Sequence, residues 1–283
     1  MRTLTLCVLG LVVCLGAGGH AAPAERQALI TVLDKSGAPL RDLKPDEFII
    51  QEDGQRRTVT AATLATEPLD VAIVIDTAKP PMGQNYPTRE MRDGLAALVK
   101  AVYADNPESR VSLMEYAGAA VKTEDYTNNG DKILKAVNRL VASQRSAGVL
   151  VEGLIDTGKD LQKSKTSRRA VVTVSLGSPD DGETQPREAA IEVQKAGASF
   201  WAVVVGASAP VREVLFENLP PITGGRRITM VAPTGLVQAL TNVGAALTSQ
   251  YVVSFEHGDG PVSGNLQAGA RRGDAVLRAA VIR

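Results

Sequence analysis

The sequence predicts an α/β protein: a doubly wound, mostly parallel sheet, with a small β-sandwich formed by the N- and C-terminal segments. Three observations carry this. Between Leu69 and about Gln250 stand Val-rich runs nearly free of charge, "LDVAIVID", "AVVTVSL" and "ASFWAVVVG", as expected of parallel strands covered on both faces. Amphipathic stripes with helical spacing lie between them. Both ends of the chain instead read as short strands joined by tight turns.

Taken in order, residues 22–66 form an N-terminal β module with strands "ALITVLD", "EFIIQED" and "RRTVTAATL". Asp53-Gly54 between alternating apolar runs signals a two-residue hairpin loop. Residues 67–250 form the α/β domain. Its first helical stripe is Met91, Leu95, Leu98, Val99 and Val102, and its second is Ile133, Val137, Leu140 and Val141. Val151, Leu154, Ile155 and Leu161 make a third, and Leu236, Leu240, Val243 and Leu247 a fourth, with Thr234 as its candidate cap. "SRVSLMEYAG" alternates and reads as a strand nearer the edge, with "AAVKTED" as its antiparallel partner. Residues 251–283 return to strands, "YVVSFEH", "GNLQAGAR" and "DAVLRAAVIR", which meet the N-terminal module because a lone hairpin is marginal in water.

Charge and composition narrow the chemistry. Lys plus Arg and Asp plus Glu both number 31, and aromatic residues make up only 4%, so neither a field nor a stacking surface points to nucleic acid. The N-terminus combines Arg2, an apolar run from Leu4 to Leu15 and small residues at Gly19 and Ala21, the pattern of a secretory signal peptide spanning residues 1–21. Val13 before Cys14 argues against a lipoprotein, and the expected mature chain is secreted or periplasmic, without membrane insertion. It keeps no cysteine and a single histidine, His257. With no thiol and no nucleophile elbow, phosphate loop, dinucleotide fingerprint or HExxH motif, an enzyme is not expected.

The element order beginning at "VAIVID" resembles the von Willebrand factor type A domain over roughly residues 69–250. The preface strengthens the likeness: Asp34, Gly37, Pro39, Leu43, Phe48, Glu52, Asp53 and Gly54 fit the module that precedes the domain in exported bacterial relatives, with Glu47 where Asp is frequent. The resemblance implies a divalent-metal adhesion site built from a DxSxS motif, a threonine on a second loop and an aspartate on a third. Here Asp76 matches the first aspartate, but the two serine positions hold Ala78 and Pro80, the threonine would fall near Gly148, and the third-loop aspartate near Leu176.

No metal and no other cofactor is therefore expected. Lys79 stands where a divalent cation would be repelled, by about 4 kcal/mol per unit charge at ~4 Å and a surface-like dielectric. Two readings stay open: Lys79 supplies the positive charge beside Asp76, pairing with it or with Asp180 or Asp181, or Asp76 only caps loop amides while Lys79 is solvated. The candidate binding residues are Asp76, Thr77, Lys79, Ser178, Asp180 and Asp181, with no catalytic residue among them. The expected role is a non-catalytic, adhesion-like module for a protein partner, or alternatively a scaffold in a cell-envelope complex. Weaker candidates read as structure: "SPDDGE" as a solvated turn rather than a Ca²⁺ loop, Arg226 and Arg227 as a solvated edge, Trp201 as core, and Arg272-Gly273-Asp274 as a chance tripeptide.

Overall fold

The structure is a computed structural model that describes residues 24–80, 85–257, 266–273 and 275–281. The expected signal peptide, Pro81 to Gly83 and Asp274 lie outside the described residues. Among these residues no helix is long and apolar enough to cross a membrane.

The N-terminal module begins with β1 (Ala24–Leu33), followed by a 3₁₀ turn and then β2 (Phe48–Glu52), β3 (Gln55–Arg57) and β4 (Val59–Leu64). Asp34 Oδ1 accepts the Ser36 hydroxyl at 2.6 Å and the Ala38 N–H at 2.9 Å, so this residue closes the first turn. Asp53 and Gly54 both take positive φ, 51° and 75°, the conformation a two-residue hairpin demands. Phe48 and Ile50 share the buried face of β2, as their spacing requires. The run "RRTVTAATL" is not one strand: β3 pairs with β2, whereas β4 pairs with β11 (Gln250–His257) in the other sheet. The chain turns the sandwich corner at Thr58, because a single strand cannot serve both layers.

The α/β domain then follows as β5 (Leu69–Asp76), α1 (Thr88–Asp105), β6 (Arg110–Tyr116), β7 (Ala120–Thr127), α2 (Gly130–Arg139), α3 (Leu150–Leu161), β8 (Arg168–Ser175), α4 (Pro186–Lys195), β9 (Ser199–Val205), α5 (Pro210–Thr223), β10 (Arg227–Met230) and α6 (Leu236–Leu247). Its sheet has the order β10-β9-β8-β5-β6-β7, parallel except for β7. The strand order reverses direction at β5, between β8 and β6, which makes the carboxyl ends of β5 and β8 the topological switch point.

Every residue of β5 is buried because both faces are covered. One apolar layer holds Val71, Ile73 and Ile75 against α1, α2 and α6; the other holds Ala72 and Val74 with side chains of α3, α4 and α5. Two sequence expectations fail at helix ends. Val141 is 62% exposed, since α2 stops at Arg139 and the chain turns outward. Thr234 does not cap α6: it lies within a 3₁₀ turn, and Gly235 occupies the cap position without a side-chain bond.

The C-terminal strands are β11, β12 (Leu266–Ala270) and β13 (Val276–Val281). They complete two sheets, β13-β1-β11-β4 and β12-β2-β3, which enclose Ala28, Ile30, Val32, Phe48, Ile50, Tyr251, Val253 and Phe255. The junction between sandwich and α/β domain is tied by the fully buried Arg168. Its guanidinium donates to the carbonyls of Glu67 at 2.6 Å and Leu247 at 2.8 Å, and to Asp105 Oδ2 at 3.2 Å. One side chain thereby binds the linker, the end of α1 and the end of α6.

Candidate functional site

Strand parity decides which side chains meet at the switch point. Asp76 continues the Ala72–Val74 series, so its carboxylate turns to the layer covered by α3, α4 and α5. Tyr116, at the end of β6, belongs to the same layer. On α5, Leu215, Phe216 and Leu219 face this layer, and Arg212 lies one turn before them on the same stripe. A cation placed there must find anions or shed its charge.

It finds two. Arg212 Nη1 lies 3.3 Å from Asp76 Oδ2, and Nε lies 2.7 Å from Asp180 Oδ2; the arginine and Asp76 side chains are 0% exposed and that of Asp180 is 1%. Nη1 also donates to Ser178 Oγ at 3.0 Å, Nη2 donates to the Pro179 carbonyl at 3.0 Å, and the guanidinium sits 5.0 Å from the centre of the Tyr116 ring. The planar fork serves several acceptors at once, which an ammonium cannot do.

Asp76 in turn fastens two loops. Its Oδ1 accepts the Ala78 N–H at 3.0 Å, and its Oδ2 accepts the Leu176 N–H at 3.1 Å and the Ser178 hydroxyl at 2.7 Å. Tyr86 donates its hydroxyl to the Asp76 carbonyl at 3.0 Å. Asp180 Oδ1 accepts the Gly182 N–H at 3.1 Å, and its Oδ2 lies 3.4 Å from the Leu150 N–H at the start of α3.

The electrostatics follow from this enclosure. Burial alone would lower the pKa of Arg212, but Tyr116, Asp76 and Asp180 outweigh it and hold the guanidinium more firmly protonated than usual. Burial first, then the Asp76 charge, pushes the hydroxyls of Tyr116 and Tyr86 well above the ordinary tyrosine value, so both stay neutral donors. Arg212 is the third residue of α5, where the helix dipole disfavours a cation. The two carboxylates offset that cost.

Of the residues singled out in the sequence, Asp76, Ser178 and Asp180 converge on this cluster. Thr77 is buried beneath it, with its N–H donating to the Tyr116 carbonyl at 3.0 Å and its carbonyl accepting from the Ser143 N–H at 2.7 Å. Asp181 is exposed and contributes only a backbone bond, to the Gly148 carbonyl at 3.0 Å. Lys79 is also exposed, and among the described residues it makes no ion pair; its N–H is held by the Arg145 carbonyl at 2.6 Å. The reading of Lys79 as the charge beside Asp76 is corrected: the space next to that carboxylate is filled by Arg212. The signal in the sequence was the spacing of Arg212, Leu215, Phe216, Leu219 and Thr223, which places the arginine on a buried helix face.

A family model for the von Willebrand factor type A domain matches residues 70–228. No curated protein matches the chain in sequence. Among solved structures, the von Willebrand factor type A protein from Catenulispora acidiphila is similar at 11% identity and a TM-score of 0.52, over 93% of this chain and 74% of that one. Proximal thread matrix protein 1 from the mussel byssus is similar at 14% identity and a TM-score of 0.55, over 70% of this chain; the match spans about half, 51%, of the mussel protein. Its form with a zinc-occupied adhesion motif gives 16% identity and a TM-score of 0.54, over 68% of this chain and 49% of that one. These likenesses carry the fold, and the family match over more than half of the sequence carries the assignment: the chain belongs to the von Willebrand factor type A domain family.

Proposed function

We propose that this chain is an exported, non-catalytic protein-interaction module whose strand-end face works without a divalent metal, because Arg212 takes the place a cation would hold. The carrying observation is the guanidinium bridging Asp76 and Asp180 at the switch point. A Mg²⁺ ion asks for near-octahedral oxygen ligands. Ala78, Pro80 and Gly148 offer no side-chain oxygen, and the carboxylates of Asp76 and Asp180 are committed to a fixed positive charge. The donor set does not fit the metal, and any ion entering it would also meet repulsion of about 4 kcal/mol per unit charge at ~4 Å.

What remains at the carboxyl ends of the strands is a surface whose loops are tied by the hydrogen bonds of Asp76 on one side and Asp180 on the other. Rigid scaffolds presenting fixed loops suit partner docking, and the family membership supports a protein partner over a small molecule or nucleic acid. Export rests on the leader-like N-terminus, and cleavage near Ala21 is tested by N-terminal sequencing of protein from the culture medium and periplasm. The metal claim is tested by titrating the protein with Mg²⁺ and Mn²⁺ by calorimetry. Absence of binding heat supports it, and micromolar binding that Asp76→Ala abolishes overturns it.

A further inference from the structure

At the pole opposite Arg212, against the amino ends of β5, β6 and β8, lies a cleft of about 650 Å³, within the usual size range for small-ligand sites. Among the described residues that line it, only Pro68 carries neither a charge nor a hydroxyl on its side chain. The lining charges balance, with Glu67, Asp70 and Glu108 set against Arg110, Lys163 and Lys165. No net field therefore selects a simple anion or a simple cation.

Most of these charges are already committed. Asp70, 2% exposed, accepts from Arg110 Nε at 3.0 Å and Nη2 at 2.5 Å, and from the Ser164 hydroxyl at 2.5 Å. Lys163 pairs with Asp160 at 2.9 Å, and the Glu67 carboxylate acts on the buried Arg168. Glu108 and Lys165 are exposed and, among the described residues, make no ion pair. Both stand on loops tied to β5 or to the chain just before it. Glu108 follows Asn106, whose side chain donates to the Thr66 carbonyl at 2.9 Å, and precedes Ser109, whose hydroxyl accepts the Leu69 N–H at 2.9 Å. Lys165 lies between Ser164, bonded to Asp70, and Thr166, whose hydroxyl donates to the Pro68 carbonyl. An anion and a cation are thus held on the loops entering β6 and β8, with β5 between them. Two strand spacings, roughly 9.5 Å, separate those flanking strands. A charge contact of ~2.8 Å on either side leaves room for a ligand whose own charges lie a few ångström apart.

We propose that this cleft binds a small zwitterion of amino-acid or dipeptide size, with its ammonium on Glu108 and its carboxylate on Lys165 and the Ser167 hydroxyl. The site is independent of the strand-end face: it lies at the other ends of the strands and shares no residue with the Arg212 cluster.

The test follows the amide resonances of Ser109, Lys165 and Ser167 in the intact protein during titration with glycylglycine, N-acetylglycylglycine and glycylglycinamide. Only the first carries both charges at neutral pH. Saturable shifts are expected with glycylglycine, and an affinity about threefold to fivefold lower for either capped form, the scale of one exposed ion pair. Glu108 and Lys165 are exposed, so conservative substitution leaves the fold in place. Glu108→Gln should erase the preference over the acetylated form and Lys165→Gln the preference over the amide, while Lys165→Arg keeps it. Absence of saturable shifts would overturn the proposal. So would equal affinity for all the probes, a penalty for only one of the caps, or preferences that survive the Gln variants.

Discussion

A Cβ built at Gly148 would stand 2.7 Å from Arg212 Nη2 and 2.7 Å from the Tyr116 ring. Gly148, near which the family resemblance places a metal-binding threonine, can therefore take a side chain only if the guanidinium and the Tyr116 ring both give way. Glycine and arginine fit as gap and filler. Gly148→Ala should destabilise the protein by about 1–3 kcal/mol, the usual scale of overpacking, read as a shift of the urea midpoint followed by the fluorescence of Trp201, the single tryptophan of the chain.

Removing the filler should cost more. Arg212→Met leaves the buried Asp76 and Asp180 facing one another without their cation, and a loss of about 3–5 kcal/mol is expected from breaking such a pair on one side. Arg212→Lys should recover only part of it, because a compact ammonium cannot reproduce the fork. Equal midpoints for the wild type and both variants would show that the cluster contributes nothing to the fold.

Arg168 is the corresponding brace at the opposite ends of the strands. Arg168→Met removes the donor to the carbonyls of Glu67 and Leu247 and to the Asp105 carboxylate; of these the Leu247 carbonyl is the buried one, and leaving it unpaired costs about 1–3 kcal/mol. The expected result is an earlier unfolding transition together with faster hydrogen exchange at the ends of α1 and α6. Exchange confined to the sandwich would contradict the brace.

The sandwich has its own charged centre in Glu52, which is buried and accepts from Arg57 Nε at 3.1 Å, lies 2.7 Å from His257 Nδ1, and also pairs with Arg26. Burial raises its pKa, but His257 and Arg26 outweigh that, so the folded value lies below the ordinary 4.5. A depressed carboxylate stabilises fully above its unfolded pKa and loses that contribution as pH falls through the folded one. Glu52→Gln should therefore lower stability at pH 7, and the gap to wild type should narrow as pH falls below about 4.5. Denaturation midpoints measured from pH 7 to pH 3 check both signs.

Much of the fold was legible because periodicity reports burial directly. Runs such as Val71 to Ile75 have no charge to expose, and stripes such as Met91 to Val102 admit only one buried face. Asp53-Gly54 declared its turn through local chemistry alone. The split of "RRTVTAATL" was hidden, since β3 pairs with its hairpin neighbour β2 while β4 is drawn into the other sheet by β11, some 190 residues distant. The candidate site was half legible: Asp76, Ser178 and Asp180 lie on loops at strand ends, which sequence patterns locate. Arg212 escaped because its partners come from other elements, and Lys79 drew attention by lying three residues from Asp76 along the chain. Proximity in sequence misled where the α5 stripe would have pointed correctly.

The proposed replacement of a metal by Arg212 is tested most directly by calorimetric titration of the wild type and Arg212→Ala with Mn²⁺. No binding to the wild type is expected, and measurable binding to Arg212→Ala, where the carboxylates of Asp76 and Asp180 and the Ser178 hydroxyl are left without their cation. Binding to the wild type that the Arg212 substitution leaves unchanged would contradict it.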